Sequence, residues 1–328
     1  MNENAGSGDL HVVIGAGPIG SGIARELADR GHQVRVITTS GSGPAGGAEL
    51  VAADASDAAA MIRLTEGAAA IYNCANPPYH RWPELWPPIA AGLLGAAERS
   101  GAVLVTIANL YGYGPAPLSQ GTAGYDPAHP MTEATPLAAT GRKGRVRAQM
   151  WLDALAAHEA GLVRVVEIRS SDYVGPGAVS ALDERVVPSV LRGKAVFVLG
   201  RADRPHTWTY TRDVSRLAVA AAGDARAWGR AWHTPSAPPR TQREVVADLA
   251  SIAGLGPVPV RTAPPAVMRV AGLFSPLLRE LAETRYQFSE DFVMDSAAAQ
   301  QTFGLEPTPW ATVLRDLLRS YGWSDRAS

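Results

Sequence analysis

The chain has 328 residues, 46% of them apolar and 19% charged, with a formal net charge of −1. That length and balance suit one large or two joined globular domains, and the near-neutral charge excludes a global field that would draw in nucleic acid or an anionic membrane. A single cysteine, Cys74, excludes an internal disulfide framework and a cysteine-based zinc site, so no metal is expected.

The opening, "MNENAGSGDL", lacks the basic start and apolar run of a signal peptide. No window approaches the roughly 18 apolar residues that a membrane span needs. A cytoplasmic location is expected. Short apolar runs then alternate with helical patterns, the order of a doubly wound parallel sheet with helices on both faces, an α/β fold. "HVVIGAG" reads as a buried strand, "IGSGIARELADRG" as a helix ending at Gly31, and "QVRVIT" as the second strand. "AELVAAD" gives a short third strand and "AAAIYNCAN" a fourth. A long helix, "ELWPPIAAGLLGAAERSG", leads to the fifth strand, "AVLVTIAN". A loop rich in Gly, Pro and Tyr follows from Leu110 to Ala139, and loops of that length usually carry function or disorder. The helix "KGRVRAQMWLDALAAHEAG" and a sixth strand, "VRVVEIRSS", complete this half.

After Tyr173 the texture changes. "GPGAVSALDERVVPSVLRG" is a turn and a helix, "AVFVLG" a strand, and "HTWTYTRDVSRLAVAAAG" a strand running into a helix. "AWHTPS", helical "TQREVVADLASIAG" and "PVPVRTAP" follow. Two helices, "AVMRVAGLFSPLLRELAE" and "TPWATVLRDLLRSYGW", end the chain, with no solenoid repeat anywhere.

"VVIGAGPIGSGIA" sets Gly15, Gly17 and Gly20 in G-x-G-x-x-G spacing between a strand and a helix. Gly15 permits the tight turn, Gly17 lets backbone approach a pyrophosphate, and Gly20 lets helix and strand pack closely. With Pro18 and Ile19 at the helix start, the loop presents free N–H groups and a partial positive charge to phosphates. This makes 1–173 with 205–234 a Rossmann dinucleotide-binding domain, and 174–204 with 235–328 a smaller mixed substrate-binding lobe. An NAD site usually adds an acid about 20 residues on, yet the second strand ends in Thr38, Thr39 and Ser40. Hydroxyls there do not repel a 2′-phosphate, so NADP(H) is the preferred cofactor, with NAD(H) as the other possibility. No arginine stands at that end, Arg35 lying back in the strand. Asp54 is a candidate acceptor for the adenine amino group, or else a turn or cap residue.

These features resemble the extended short-chain dehydrogenase/reductases, the NAD-dependent epimerase/dehydratase superfamily, over nearly the whole chain. The marks are the glycine loop, "YNCAN", "TIANLYGYGP", "RKGRVRAQ", "EIRSSDYVGPG" and "HTWTYTRDV". The family spaces its glycines G-x-x-G-x-x-G, and here Ile14 stands where the first would fall. The resemblance places Ala75 beside the cofactor and implies a small-molecule substrate and a homodimer. It also implies an active site of a Ser or Thr after the fifth strand and a Tyr-x-x-x-Lys on the next helix. In that pattern the tyrosine is the acid/base, and the lysine holds the nicotinamide ribose while lowering the tyrosine's pKa. Lys143 matches the lysine. It is one of two lysines in a chain with 28 arginines, and a compact ammonium reaches ribose hydroxyls that a planar guanidinium fits poorly.

Four residues earlier, however, stands Ala139, and the Ser/Thr position falls on Asn109 or, with a shifted alignment, on Ile107. The usual acid/base is missing. Tyr111, Tyr113, Tyr125 and Tyr173 are candidate replacements, with Tyr79 and His80 in "NPPYHRW" facing the substrate; each is otherwise a packed ring or a solvated loop residue. Asn109 can polarise a substrate oxygen without moving a proton. His206 and Trp208 are candidate substrate contacts, Asp213 a helix-start acid, and Cys74 a buried small residue. The resulting expectation is an NADP(H)-using oxidoreductase or epimerase acting on a small organic carbonyl or alcohol, such as an intermediate of biosynthetic tailoring. The alternatives are a redox-silent isomerase or lyase on the same scaffold and a cofactor-sensing binding protein.

Overall fold

The computed structural model describes residues 8–44, 46–115, 126, 128–178, 180, 182–262 and 283–324. Tyr125 and nearly all of the helix expected over 266–283 lie outside them. Two compact units emerge, one of 1–108, 146–169 and 214–232, the other of 109–145, 170–213 and 233–328.

The first unit is built on a seven-stranded sheet. Its strands are β1 (Leu10–Ile14), β2 (Gln33–Thr38), β3 (Glu49–Ala52), β4 (Ala68–Asn73), β5 (Val103–Asn109), β6 (Arg164–Ser170) and β10 (Arg230–His233), in the order β10-β6-β5-β4-β1-β2-β3. The pairings of β1 with β2 and β4, β2 with β3, and β4 with β5 are parallel. Helix α1 (Pro18–Asp29) shows why the sequence folds this way, since Gly20, Ile23, Ala24 and Leu27 fall at i, i+3, i+4 and i+7 and are buried. Burying Ile23 and Leu27 contributes about 1.5–3 kcal/mol each. Helix α3 (Trp82–Ser100) carries Pro87 and Pro88 inside and stops at Gly101, whose φ of 71° closes the last turn in the left-handed region. A short helix, α2 (Ala58–Leu64), starts where the Asp57 side chain accepts from the Ala60 N–H. Its run of alanines carries no apolar stripe, so spacing alone does not mark it as a helix. Strand β10, from "AWHTPS", joins the central sheet at its edge.

The second unit holds two small parallel pairs, β7 (Asp172–Val174) with β9 (Trp208–Tyr210), and β8 (Val196–Val198) with β11 (Val260–Thr262). Its core joins Val174, Leu182, Val187 and Val190 to Leu249 of α7 (Gln242–Ile252) and Leu317 of the C-terminal helix Trp310–Ser320. A Thr241–Glu244 capping box starts α7. Segment 109–145 groups with later residues, where Leu110, Tyr113 and Met131 share a cluster with Phe292 and Met294. Among the described residues no helix is long and apolar enough to cross a membrane.

Candidate active site

In the first unit the glycine loop has the geometry its spacing implies. Gly15 sits at φ +100°, its N–H donating to the Ile37 carbonyl at 2.8 Å, and a Cβ there would lie 2.7 Å from the Cys74 carbonyl oxygen. A side chain at Gly20 would collide with the Gly15 carbonyl, so this glycine lets α1 press onto the loop. Gly17 differs: a Cβ there meets nothing within 4 Å, which leaves open space in front of the α1 N-terminus. Gly17 is the N-cap, Pro18 the first helical residue, and no side chain caps the turn. The Ser21 hydroxyl ties back to the Ala16 carbonyl at 2.9 Å. The Ile19 carbonyl accepts from Ser215 at 3.0 Å. A bare, open helix start of this kind fits a dinucleotide pyrophosphate.

Around the end of β2, the Thr38 hydroxyl accepts from the Ser42 N–H at 3.1 Å and donates to its carbonyl at 3.0 Å. Ser40 and Ser42 hydroxyls lie 2.7 Å apart, and Thr39 is exposed beside them. Arg35 is committed elsewhere, to Glu49 at 2.8 Å and the Leu64 carbonyl at 2.7 Å. A Cβ on Gly43 would stand 2.5 Å from that of Ala16, so this hydroxyl-lined turn lies against the glycine loop. Asp54 accepts from the Ser56 N–H and hydroxyl, both at 2.8 Å, and these bonds hold its carboxyl below the ordinary carboxylate range. It is a turn residue with one oxygen left over. The Ala75 N–H donates to Asn73 at 3.3 Å. Burial pushes the Cys74 thiol well above its ordinary range, which keeps it protonated and inert. Tyr79 stacks edge-on against Trp82 at 5.0 Å, and His80 is exposed on the same short turn.

The second unit contains the lysine. Lys143 is 3% exposed in the first turn of α4 (Arg142–Glu159). Its ammonium is 3.4 Å from Glu283 Oε2, and its backbone N–H donates to Glu283 Oε1 at 2.8 Å. One carboxylate therefore pairs with the ammonium and satisfies an orphan donor at the helix start. The flanking glycines of "GRKG" follow from this crowding. A side chain at Gly141 would collide with the Glu283 carboxylate, and one at Gly144 with the Tyr111 carbonyl and the Ala139 methyl. Ala139 precedes the helix, its N–H donating to the Gly112 carbonyl at 3.2 Å, so positions 139 and 143 do not share a helical face. Glu283 lies 140 residues from Lys143, and no local pattern marks it.

Asn109 Oδ1 accepts from the Tyr111 N–H at 3.1 Å, which leaves the amide N–H groups as its donor side. Tyr111 is half-buried, whereas Tyr113 is 1% exposed in the cluster with Met131 and Phe292. His233 Nδ1 is 2.7 Å from the Asp295 carbonyl, which makes that nitrogen the donor and Nε2 an acceptor for the Tyr113 hydroxyl at 2.7 Å. Glu133 accepts from the His233 N–H at 3.0 Å. Neither histidine nor glutamate was visible as a partner from sequence, since they lie far along the chain.

His206 and Trp208, expected near substrate, are 2% and 5% exposed. His206 is stacked between Trp208 and Phe288, with ring centroids at 4.6 and 4.9 Å, and its Nδ1 donates to the Gln287 carbonyl at 3.1 Å. Its Nε2 lies 2.8 Å from Asp172 Oδ2 without the alignment of a hydrogen bond. Trp208 donates to the Arg240 carbonyl at 3.0 Å. Both rings belong to the lobe's interior because each finds apolar neighbours and a carbonyl there. Tyr173, on β7, is half-buried, and Asp213 accepts from the Thr308 N–H and hydroxyl at 2.8 and 2.7 Å, which makes it a clamp on the C-terminal segment.

The sequence model described as "NAD dependent epimerase/dehydratase family" matches residues 11–231. No curated protein matches the chain at a significant level. Among solved structures, a UDP-glucose 4-epimerase with UDP-glucose from Thermotoga maritima is 17% identical, with a TM-score of 0.75 over 95% of this chain and 98% of that one. A dTDP-glucose 4,6-dehydratase, DesIV from Streptomyces venezuelae with NAD bound, is 21% identical, with a TM-score of 0.72 over 95% and 96%. MoeE5 in complex with UDP-glucose and NAD is 19% identical, with a TM-score of 0.74 over 96% and 99%. At these identities the structural likeness establishes the fold.

Proposed function

The chain belongs to the NAD dependent epimerase/dehydratase family, and from that premise we propose that it is an oxidoreductase or epimerase acting on a small organic carbonyl or alcohol. The observation that carries this reading is Lys143. A chain that writes arginine for 28 of its 30 basic residues buries one of its two lysines, 3% exposed, at the family's lysine position. In this reading Gly15, Gly17, Pro18, Ile19 and Gly20 hold the pyrophosphate, Ala75 flanks the cofactor, and Lys143 serves its ribose. When bound, the cofactor supplies a hydride acceptor or donor. Asn109 donates to the substrate oxygen, Tyr111 flanks it, and Tyr79, His80 and Tyr173 contribute to substrate contacts.

NADP(H) is the preferred cofactor, with NAD(H) second. The hydroxyls of Thr38, Thr39, Ser40 and Ser42 in place of a carboxylate support this, as nothing there repels a 2′-phosphate. The remaining oxygen of Asp54 takes the adenine amino group. A substrate without a diphosphate is favoured because the lobe offers no lysine-rich diphosphate clamp, Lys194 being its one lysine. Mass spectrometry of the purified protein for retained nucleotide, followed by calorimetry with NAD⁺ and NADP⁺, tests the cofactor. A retained nucleotide without its 2′-phosphate, or tighter binding of NAD⁺, reverses the preference. Deuteride transfer from C4-labelled NADPH to a product identifies redox chemistry, and its absence with every carbonyl favours the redox-silent alternative.

A further inference from the structure

We propose that Glu283 is the proton-transferring group of this site, standing in for the tyrosine that Ala139 does not supply. This deepens the oxidoreductase reading and rests on it. Three observations converge. The Glu283 carboxylate meets Lys143, with Oε2 3.4 Å from the ammonium and Oε1 held at 2.8 Å by the Lys143 N–H. Space for it is made by the sequence at Gly141, where any side chain would collide with the carboxylate. The Glu283 side chain is 25% exposed whereas Lys143 is 4%, so the carboxylate is the reachable half of the pair.

The chemistry follows from the pairing. A phenol must have its pKa lowered before it accepts a proton near neutrality, and the family's lysine performs that task. A carboxylate needs no such help to act as a base. Here the ammonium stabilises its charge, and the backbone N–H fixes one oxygen so that the other is presented in one orientation. In the alcohol-oxidising direction the substrate C–H bond breaks with its electron pair, and the hydride goes to the oxidised nicotinamide cofactor. The C–O bond becomes C=O, the O–H bond breaks, and its proton passes to Glu283. Reduction is the reverse, with Glu283 as the acid.

The test uses the full chain with NAD⁺ or NADP⁺ and three probes, benzyl alcohol, cyclohexanol and UDP-glucose, following appearance of reduced nicotinamide. Glu283→Gln keeps the acceptor for the Lys143 N–H, so it is expected to bind cofactor within about threefold of the parent. Its kcat is expected to fall by at least about 100-fold, the range for loss of a general acid/base. The acid limb of its pH–rate profile should vanish. Glu283→Ala should be revived by added formate, a readout that a structural anchor does not give. An unchanged kcat in Glu283→Gln, or a loss that only tracks weaker cofactor binding or a lower Tm, overturns the assignment while leaving the oxidoreductase reading intact. If the parent oxidises none of the probes, the oxidoreductase reading fails and the assignment to Glu283 falls with it.

Discussion

Acid should destabilise the first unit through His11, and the size of the effect can be worked out. His11, the second residue of β1, is 9% exposed and accepts from the Tyr72 hydroxyl through Nδ1 at 3.2 Å. Its ring meets that of His32 at 4.6 Å. Burial first, and the His32 charge second, lower its pKa from 6.5 to about 4, against a smaller opposing pull from Asp9. Tyr72 is held above its ordinary range by burial and remains the donor. Because the folded pKa lies below the unfolded one, the unfolded chain takes up the proton first as pH falls. The contribution is complete above about pH 6.5 and is lost progressively down to about pH 4. At about 1.4 kcal/mol per pH unit this corresponds to about 3 kcal/mol, which partial solvation of the ring reduces to about 2 kcal/mol. Urea unfolding of the parent and of His11→Gln, at intervals between pH 4 and 8, measures it. The variant should lose up to one proton's worth of slope inside that window and match the parent's slope above it. Parallel stability curves for the two proteins across the window would refute the reasoning.

Lys143→Ala should weaken cofactor binding by about 1.5–3 kcal/mol by calorimetry, and Lys143→Arg should not restore it, because the guanidinium differs in shape and donor geometry. Tyr113→Phe should cost about 1–3 kcal/mol in chemical denaturation, since it strips the donor from buried His233 Nε2, yet leave cofactor affinity unchanged. Gly20→Ala should cost about 1–3 kcal/mol and weaken cofactor binding together, as the added methyl forces α1 off the Gly15 carbonyl. Both losses would be visible in a thermal melt with and without nucleotide.

The parts of this protein that sequence alone determined are those whose physics is short-range. Apolar runs of β1, β2, β4 and β5, the stripe Gly20–Ile23–Ala24–Leu27 and the turn glycine Gly15 each constrain only a few neighbouring residues, so the βαβ order and the tight glycine turn were legible from spacing. Lys143 stands out in the sequence by its rarity and its register with the family pattern, as does the alanine at 139 where that pattern has a tyrosine. Tertiary structure alone decided what surrounds them. Glu283 reaches Lys143 across 140 residues and Tyr113 meets His233 across 120, separations at which no periodicity carries information. A polar atom on a ring suits a substrate as well as a core, so the sequence does not show that Tyr113, His206 and Trp208 are buried; the packing against Phe288, Phe292 and Met131 does. Strand β10 lies in the segment 205–234 that the sequence places with the Rossmann half, but its position at the sheet edge, beside β6, is set by where the assembled sheet leaves backbone donors and acceptors free.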